Sequence, residues 1–189
     1  MKNTIILGLI GKAGSGKDTV ADTLVEERKF KKVAFADPLK LHCKNFHGWD
    51  GNKDLTGRSM LQTEGTDKHR KHYPSIWIDY MKIKIKMMID DGVDRIVISD
   101  VRFNNEAKLI KKKIGFFSSF FSDTRYKWNG FNIKIIGRET DLGASANHSS
   151  ETGIKSIPTD FIVDNGGSIE NTKEQDFYIV DEEIRNRMG

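Results

Sequence analysis

Cysteine is nearly missing from this chain. Cys43 stands alone among 189 residues, so no internal disulfide can form and a reducing compartment is expected. Proline is almost as scarce, at three residues, which leaves little from which a stiff linker could be built. One domain over residues 1–189 is the expectation. No apolar run approaches the roughly 20 residues that span a bilayer, and the apolar part of "MKNTIILGLIGKAG" is too short, with the wrong sequel, for a secretory signal. A cytoplasmic protein with no membrane partner is expected. Charge of one sign is not in great excess either: 31 Lys and Arg face 27 Asp and Glu. That balance suits small anionic ligands and is too slight to indicate nucleic acid. Internal repeats and low-complexity tracts are absent.

What the sequence does contain is a series of short apolar runs with turn or basic residues between them. "TIILGLI" (residues 4–10) is continuously apolar, as expected of a strand buried on both faces of a parallel sheet. It leads into "GKAGSGKDT", after which Val20, Ala21, Leu24 and Val25 recur at helical spacing and the basic "ERKFKK" suits a helix C-terminus. "KKVAFAD" reads as a second strand ending at Asp37, with Pro38 opening a helix through Leu39, Leu41 and Cys43. "DRIVISDVRF" supplies a strand at residues 96–99 with Asp100, Arg102 and Phe103 at its carboxyl end. "FNIKIIG" and "TDFIVDN" supply two more. "MKIKIKMMI" alternates like a strand, yet Ile76, Tyr80, Ile83 and Met87 follow helical spacing, and helix is favoured. Strands alternating with helices predict an α/β doubly wound parallel sheet, with ligands gathered at the carboxyl ends of its strands. Gly11, Asp37, Asp100, Arg102, Arg138 and Asn165 all fall at such ends.

The glycine loop carries the clearest chemistry. Backbone N–H groups of Gly11, Lys12, Ala13, Gly14, Ser15 and Gly16, backed by a helix N-terminus, can wrap a triphosphate, and Lys17, on a solvated loop end, can reach its outer phosphates. Glycine lets the backbone approach the ligand. Asp18 stands where Ser or Thr is usual; its carboxylate could hold magnesium, or it could only complement the helix dipole, while Thr19 offers the missing hydroxyl one residue on. Arg102 has the fork geometry that a phosphate wants, or it could pair with Asp100 or Glu106. Asp37 and Asp100 could hold magnesium or its waters, and Asp37 could instead cap the helix at Pro38. His42, His47, His69, His72 and Cys43 show no paired spacing that would indicate a metal site.

The blocks "GKAGSGKDTVAD", "AFADPLK", "GRSMLQTEGTDKHR", "VISDVRFNNEAKLI" and "NHSSE" resemble, in order and style, the phage deoxynucleoside monophosphate kinases, relatives of the nucleoside monophosphate kinases within the P-loop kinase fold. "GKDT" is shared with phosphomevalonate kinases, whereas "DVRFNNEA" together with "LQTEGTD" is much sharper. The resemblance implies a three-layer fold with a central parallel sheet flanked by helices, a monophosphate-binding region over residues 37–90 and a lid over residues 138–157. It implies transfer of the γ-phosphoryl group of ATP, with Mg2+, to a deoxynucleoside monophosphate, supplying DNA precursors. Converging cations then come from Lys17, Arg58, Arg70, Arg102 and Arg138. Arg58, Gln62, Thr66 and Arg70 belong to the monophosphate side, where Gln62 can bond a base edge; each could equally be a solvated helix face. His148 and Glu151 read as lid-hinge or substrate contacts, or as a helix cap. No catalytic base is needed, because the acceptor phosphate, with a second pKa near ~6, is already ionised.

The chain departs from that pattern in the aromatic stretch 114–130, which reads either as a stacking or partner surface or as a packed cluster, the latter favoured because aromatics pack. Two other functions stay open. One is a small-molecule kinase of the dephospho-coenzyme A or phosphomevalonate type, the former with a hydroxyl acceptor and a base such as Asp37 or Asp100. The other is a non-catalytic module that binds nucleotides or nucleic acid through "FFSSFF" and the lysines at 111–113. A homodimer is neither indicated nor excluded.

Overall fold

A computed structural model describes residues 4–111, 128–137 and 152–188. Five parallel strands form one sheet in the order β2-β3-β1-β4-β5. They are β1 (Thr4–Ile10), β2 (Lys31–Val33), β3 (Arg95–Val101), β4 (Trp128–Ile136) and β5 (Phe161–Asp164). The unbroken apolar run of β1 belongs at the centre: every residue of it is buried, with β3 on one side and β4 on the other.

Alternate residues of β1 feed two separate cores, because successive strand side chains point to opposite faces. Ile6 and Ile10 join Leu39 and Cys43 of α2 (Asp37–His47), Met81 and Ile85 of α4 (Ile76–Asp90), and Ala107 and Ile110 of α5 (Asn104–Lys111). Ile5, Leu7 and Leu9 join Val20, Ala21 and Leu24 of α1 (Lys17–Arg28) and Val180 of α6 (Ile169–Met188). Helices on both faces of a parallel sheet make the three-layer α/β fold. The stretch "MKIKIKMMI" is helical, within α4, but the buried face is Trp77, Ile78, Met81, Ile85 and Met88, while Tyr80, Ile83 and Met87, whose spacing suggested the helix, are exposed.

One strand departs from expectation. β2 stops at Val33 rather than running to Asp37, because the next backbone donors are taken by carboxylates instead of a ladder. Ala34 N–H donates to Asp37 Oδ2 at 2.8 Å, and the N–H groups of Phe35 and Ala36 donate to Asp100 Oδ1 and Oδ2 at 2.7 and 2.9 Å. Asp37 therefore opens α2 instead of closing a strand, and its side chain caps the turn before the helix rather than the helix itself. Between α2 and α4, α3 (Leu55–Gln62) runs on into a π-helical segment, Thr63–Arg70.

Candidate active site

The carboxyl ends of β1, β2 and β3 open onto a cleft of about 510 Å³, within the range of small-molecule sites. One wall is the loop between β1 and α1. Gly16 there has φ +90°, and a side chain at that position would sit 2.0 Å from Asn165 Nδ2. Only glycine accommodates both conditions. Asn165, just past β5, donates its Nδ2 hydrogen to Ser15 O at 2.9 Å, and its Oδ1 accepts from Thr172 Oγ1 at 2.8 Å. The loop is thus tied from the far edge of the sheet. Its position at a strand end was legible from the sequence; its contact with Ser15 was not.

Lys17 is buried, not on a solvated loop end as the sequence suggests. Its Nζ donates to Lys12 O at 2.5 Å and lies 3.4 Å from Ser15 Oγ. Burial, reinforced by the nearby Arg102 charge, lowers its pKa to about 7. Asp18 points its Oδ1 at Lys32 Nζ, 2.9 Å away. Desolvation alone would raise that carboxyl, but the Lys32 contact and the charges of Lys53 and Lys17 hold it below its ordinary value. Gly14, Ala13, Gly16 and Thr19 also line this wall, whereas Gly11, Lys12 and Ser15 are not among its lining residues.

The facing wall comes from α3 and its π-helical continuation. Arg58, Gln62, Thr66 and Arg70 are spaced four apart and all line the cleft. Two contacts fix Arg70, and one of its nitrogens stays unsatisfied. Its Nη2 donates to Glu106 Oε1 at 2.7 Å, its guanidinium carbon lies 3.9 Å from the centre of the Phe103 ring, and its buried Nε has no hydrogen-bond partner among the described residues. Arg102, Asp100 and Ser99 form the floor. Glu106 also accepts from the backbone N–H of Arg102 at 2.8 Å through its Oε2, so one buried carboxylate sets both the arginine of the wall and the chain carrying the arginine of the floor. Burial pushes Glu106 up to about 7 against the pull of Arg70, and desolvation raises Asp100 against its two backbone donors. The sequence offered Glu106 only as a partner for Arg102, because nothing in the spacing of "DVRFNNEA" foretells its reach to Arg70.

Asp37 is not among the residues lining the cleft. Arg138, His148 and Glu151, with most of the expected lid, and the aromatic stretch up to residue 127 lie outside the described residues. No helix among the described residues is long and apolar enough to cross a membrane.

A glycine loop tied beneath a buried lysine, at the carboxyl end of a central parallel strand, defines the P-loop kinase class. Solved structures of that class share the architecture. A sugar kinase from Janibacter sp. HTCC2649 aligns with a TM-score of 0.55 at 15% identity over 95% of both chains. Dephospho-CoA kinase from Campylobacter jejuni aligns with a TM-score of 0.52 at 14% identity over the whole of both. At those identities the likeness speaks for the fold. No protein-family model matches the chain. A protein of Acanthamoeba polyphaga mimivirus named as a deoxynucleotide monophosphate kinase is 30% identical over 94% of this chain and 96% of its own length. The chain belongs to the deoxynucleotide monophosphate kinase family, and it is a phosphotransferase.

Proposed function

We propose that the protein transfers the γ-phosphoryl group of ATP to a deoxynucleoside 5'-monophosphate. The bond from γ-phosphorus to the bridging oxygen of ADP breaks, and a bond to an oxygen of the acceptor phosphate forms. The observation that carries this reading is the state of the carboxylates. Asp100 spends both oxygens on backbone N–H groups, Asp18 faces Lys32, Asp37 caps its own turn, and Glu106 holds Arg70. A hydroxyl acceptor needs a base to take its proton, whereas an ionised phosphate needs none. Cations, by contrast, surround the cleft: Lys17, Arg58, Arg70 and Arg102 all line it. The buried Arg70 Nε, without a protein partner among the described residues, suits an acceptor phosphate oxygen.

Asp18, Thr19, Ser99 and Asp100 line the cleft and are all oxygen donors, the hard set that Mg2+ takes, Asp100 through the lone pairs that its two backbone donors leave free. Held by these residues, the ion would neutralise charge that builds during transfer. The protein's own part is to hold both substrates in line. Lys17 draws the outer phosphates of ATP to the loop, Arg70 and Arg102 hold the acceptor, and Phe35, Leu39, Leu61 and Trp77 offer the acceptor base an apolar wall with Gln62 as a polar contact. Residues 37–90 serve as the monophosphate-binding region of one domain; the lid expected over residues 138–157 lies mostly outside the described residues.

A coupled assay of ADP formation, run with each of the four deoxynucleoside monophosphates and with dephospho-coenzyme A, tests the reading. Turnover with at least one monophosphate and none with dephospho-coenzyme A is expected. The reverse pattern would assign the cleft to a hydroxyl acceptor.

A further inference from the structure

Outside the lining of the cleft, two histidines and a carboxylate come together, with a third histidine beside them. His42 and His47 come from α2, and Glu64 and His69 from the π-helical segment. The Nε2 atoms of His42 and His47 are 3.3 Å apart. His47 Nε2 is 3.5 Å from Glu64 Oε2, and His69 Nε2 is 3.9 Å from the same oxygen. One ligand atom from each of His42, His47 and Glu64 lies within 4.8 Å of the other two. The rings of His42 and His69 meet edge to face with centroids 5.0 Å apart.

These spacings suit a shared ion better than hydrogen bonds. A tetrahedral ion with bonds of ~2.0 to 2.1 Å sets its ligand atoms about 3.3 Å apart, the separation seen between the first two imidazoles. The contacts to Glu64 exceed the roughly 2.7 to 3.2 Å of an N–H···O bond. Glu64 is buried, and its other oxygen, Oε1, accepts from Lys68 Nζ at 2.5 Å. That contact orients Oε2 toward the histidines, as outer-shell partners orient metal ligands elsewhere.

We infer that His42, His47 and Glu64 form a binding site for a zinc ion that joins α2 to the π-helical segment, with a fourth position left for a further ligand and His69 packed beside His42. Imidazole nitrogen with one carboxylate oxygen is a donor set for zinc and its transition-metal neighbours, not for magnesium, which prefers an all-oxygen octahedron. None of the four residues lines the cleft, so the ion would act on the wall that carries Gln62, Thr66 and Arg70 by holding its backbone, not by touching substrate. The inference does not depend on which acceptor the cleft takes.

The test is a titration of the full chain, stripped with a chelator, with ZnCl2 against a chromophoric zinc indicator in excess Mg2+. Saturable binding of one ion per chain is expected, together with a rise in thermal midpoint of about 5 to 10 °C at a hundredfold excess of free zinc over its Kd. His47→Ala, at an exposed helix end, and Glu64→Gln are each expected to weaken binding at least about tenfold. His47→Ala should keep the circular-dichroism spectrum of the metal-free parent, and it alone decides the matter if Glu64→Gln does not fold. No saturable binding in the parent, or equal affinity in parent and His47→Ala, would overturn the site.

Discussion

Lys17 shows most directly how the site stores its readiness for a polyanion. Its pKa is lowered to about 7 by burial and by Arg102, so above that pH much of it is neutral. Arrival of a triphosphate favours the charged form and raises the pKa again. ATP binding should therefore take up close to one proton at pH 8, and affinity should weaken as pH climbs from 7 toward the pKa of the bound state. Calorimetry at pH 8 in two buffers of different ionisation enthalpy measures the uptake; identical apparent enthalpies would count against it. Lys17→Ala should abolish transfer and the proton uptake together. Its neighbour Asp18 poses a different question, since Lys32 sits 2.9 Å from its carboxylate. Asp18→Ser removes an anionic oxygen from beside the triphosphate, and the Mg2+ concentration for half-maximal rate should rise while ATP still binds. An unmoved magnesium titration would leave Thr19 as the metal's hydroxyl.

At the scale of elements, the junction between α5 and the π-helical segment sets the geometry of the cleft wall proposed to hold the acceptor. Glu106 accepts from Arg70 at 2.7 Å and from the Arg102 backbone at 2.8 Å. Glu106→Gln keeps the size but presents an NH2 group to one of two donors. Under the proposed reading, the KM for the monophosphate should rise about tenfold or more while the KM for ATP stays near its parent value. Equal changes in both would point to a general loss of structure. Much of this architecture could be read in advance. The β1, loop and α1 unit follows from an apolar run, a glycine pattern and helical spacing, and β3 with Asp100 and Arg102 at its end follows from "IVISDVRF". Three features escaped for physical reasons. β2 ends early because Asp100, 65 residues on from Phe35, takes the donors that a ladder would have used. Glu64 and His69 meet because a π-helical turn brings residues five apart together, a spacing that α-helical periodicity passes over. Glu106 reaches Arg70 across 36 positions, a distance no local pattern records.

For the whole molecule, the helix layer of α1 and α6 contains an anomaly of charge. Asp176 of α6 is buried, and its Oδ1 has no hydrogen-bond partner among the described residues. Burial raises its pKa from 3.8 to about 7. A carboxyl raised in the folded state binds its proton more tightly there than in the unfolded chain. Its contribution to stability is complete below about pH 4 and is lost as pH rises through about 7. Asp176→Asn cannot ionise and should be more stable than the parent at pH 8, by an amount on the order of a few kcal/mol. That advantage should shrink at pH 5. Urea unfolding of both proteins at the two pH values gives the comparison, and a constant difference would show that Asp176 does not titrate in this window.

The bond from Asn165 to Ser15 spans 150 positions, and it gives the chain an order of assembly. During synthesis the glycine loop emerges well before its tie, which lies beyond β5. β1 itself is flanked by β3 and β4, so the central strand also waits for neighbours that are made later. A growing chain halted after β4 would hold Lys17 and every glycine of the loop with nothing to fasten Ser15. It should retain ATP weakly or not at all until residues 165–172 are added. Competence to bind nucleotide would then arrive late and abruptly, so that a fragment left by interrupted translation would not sequester ATP.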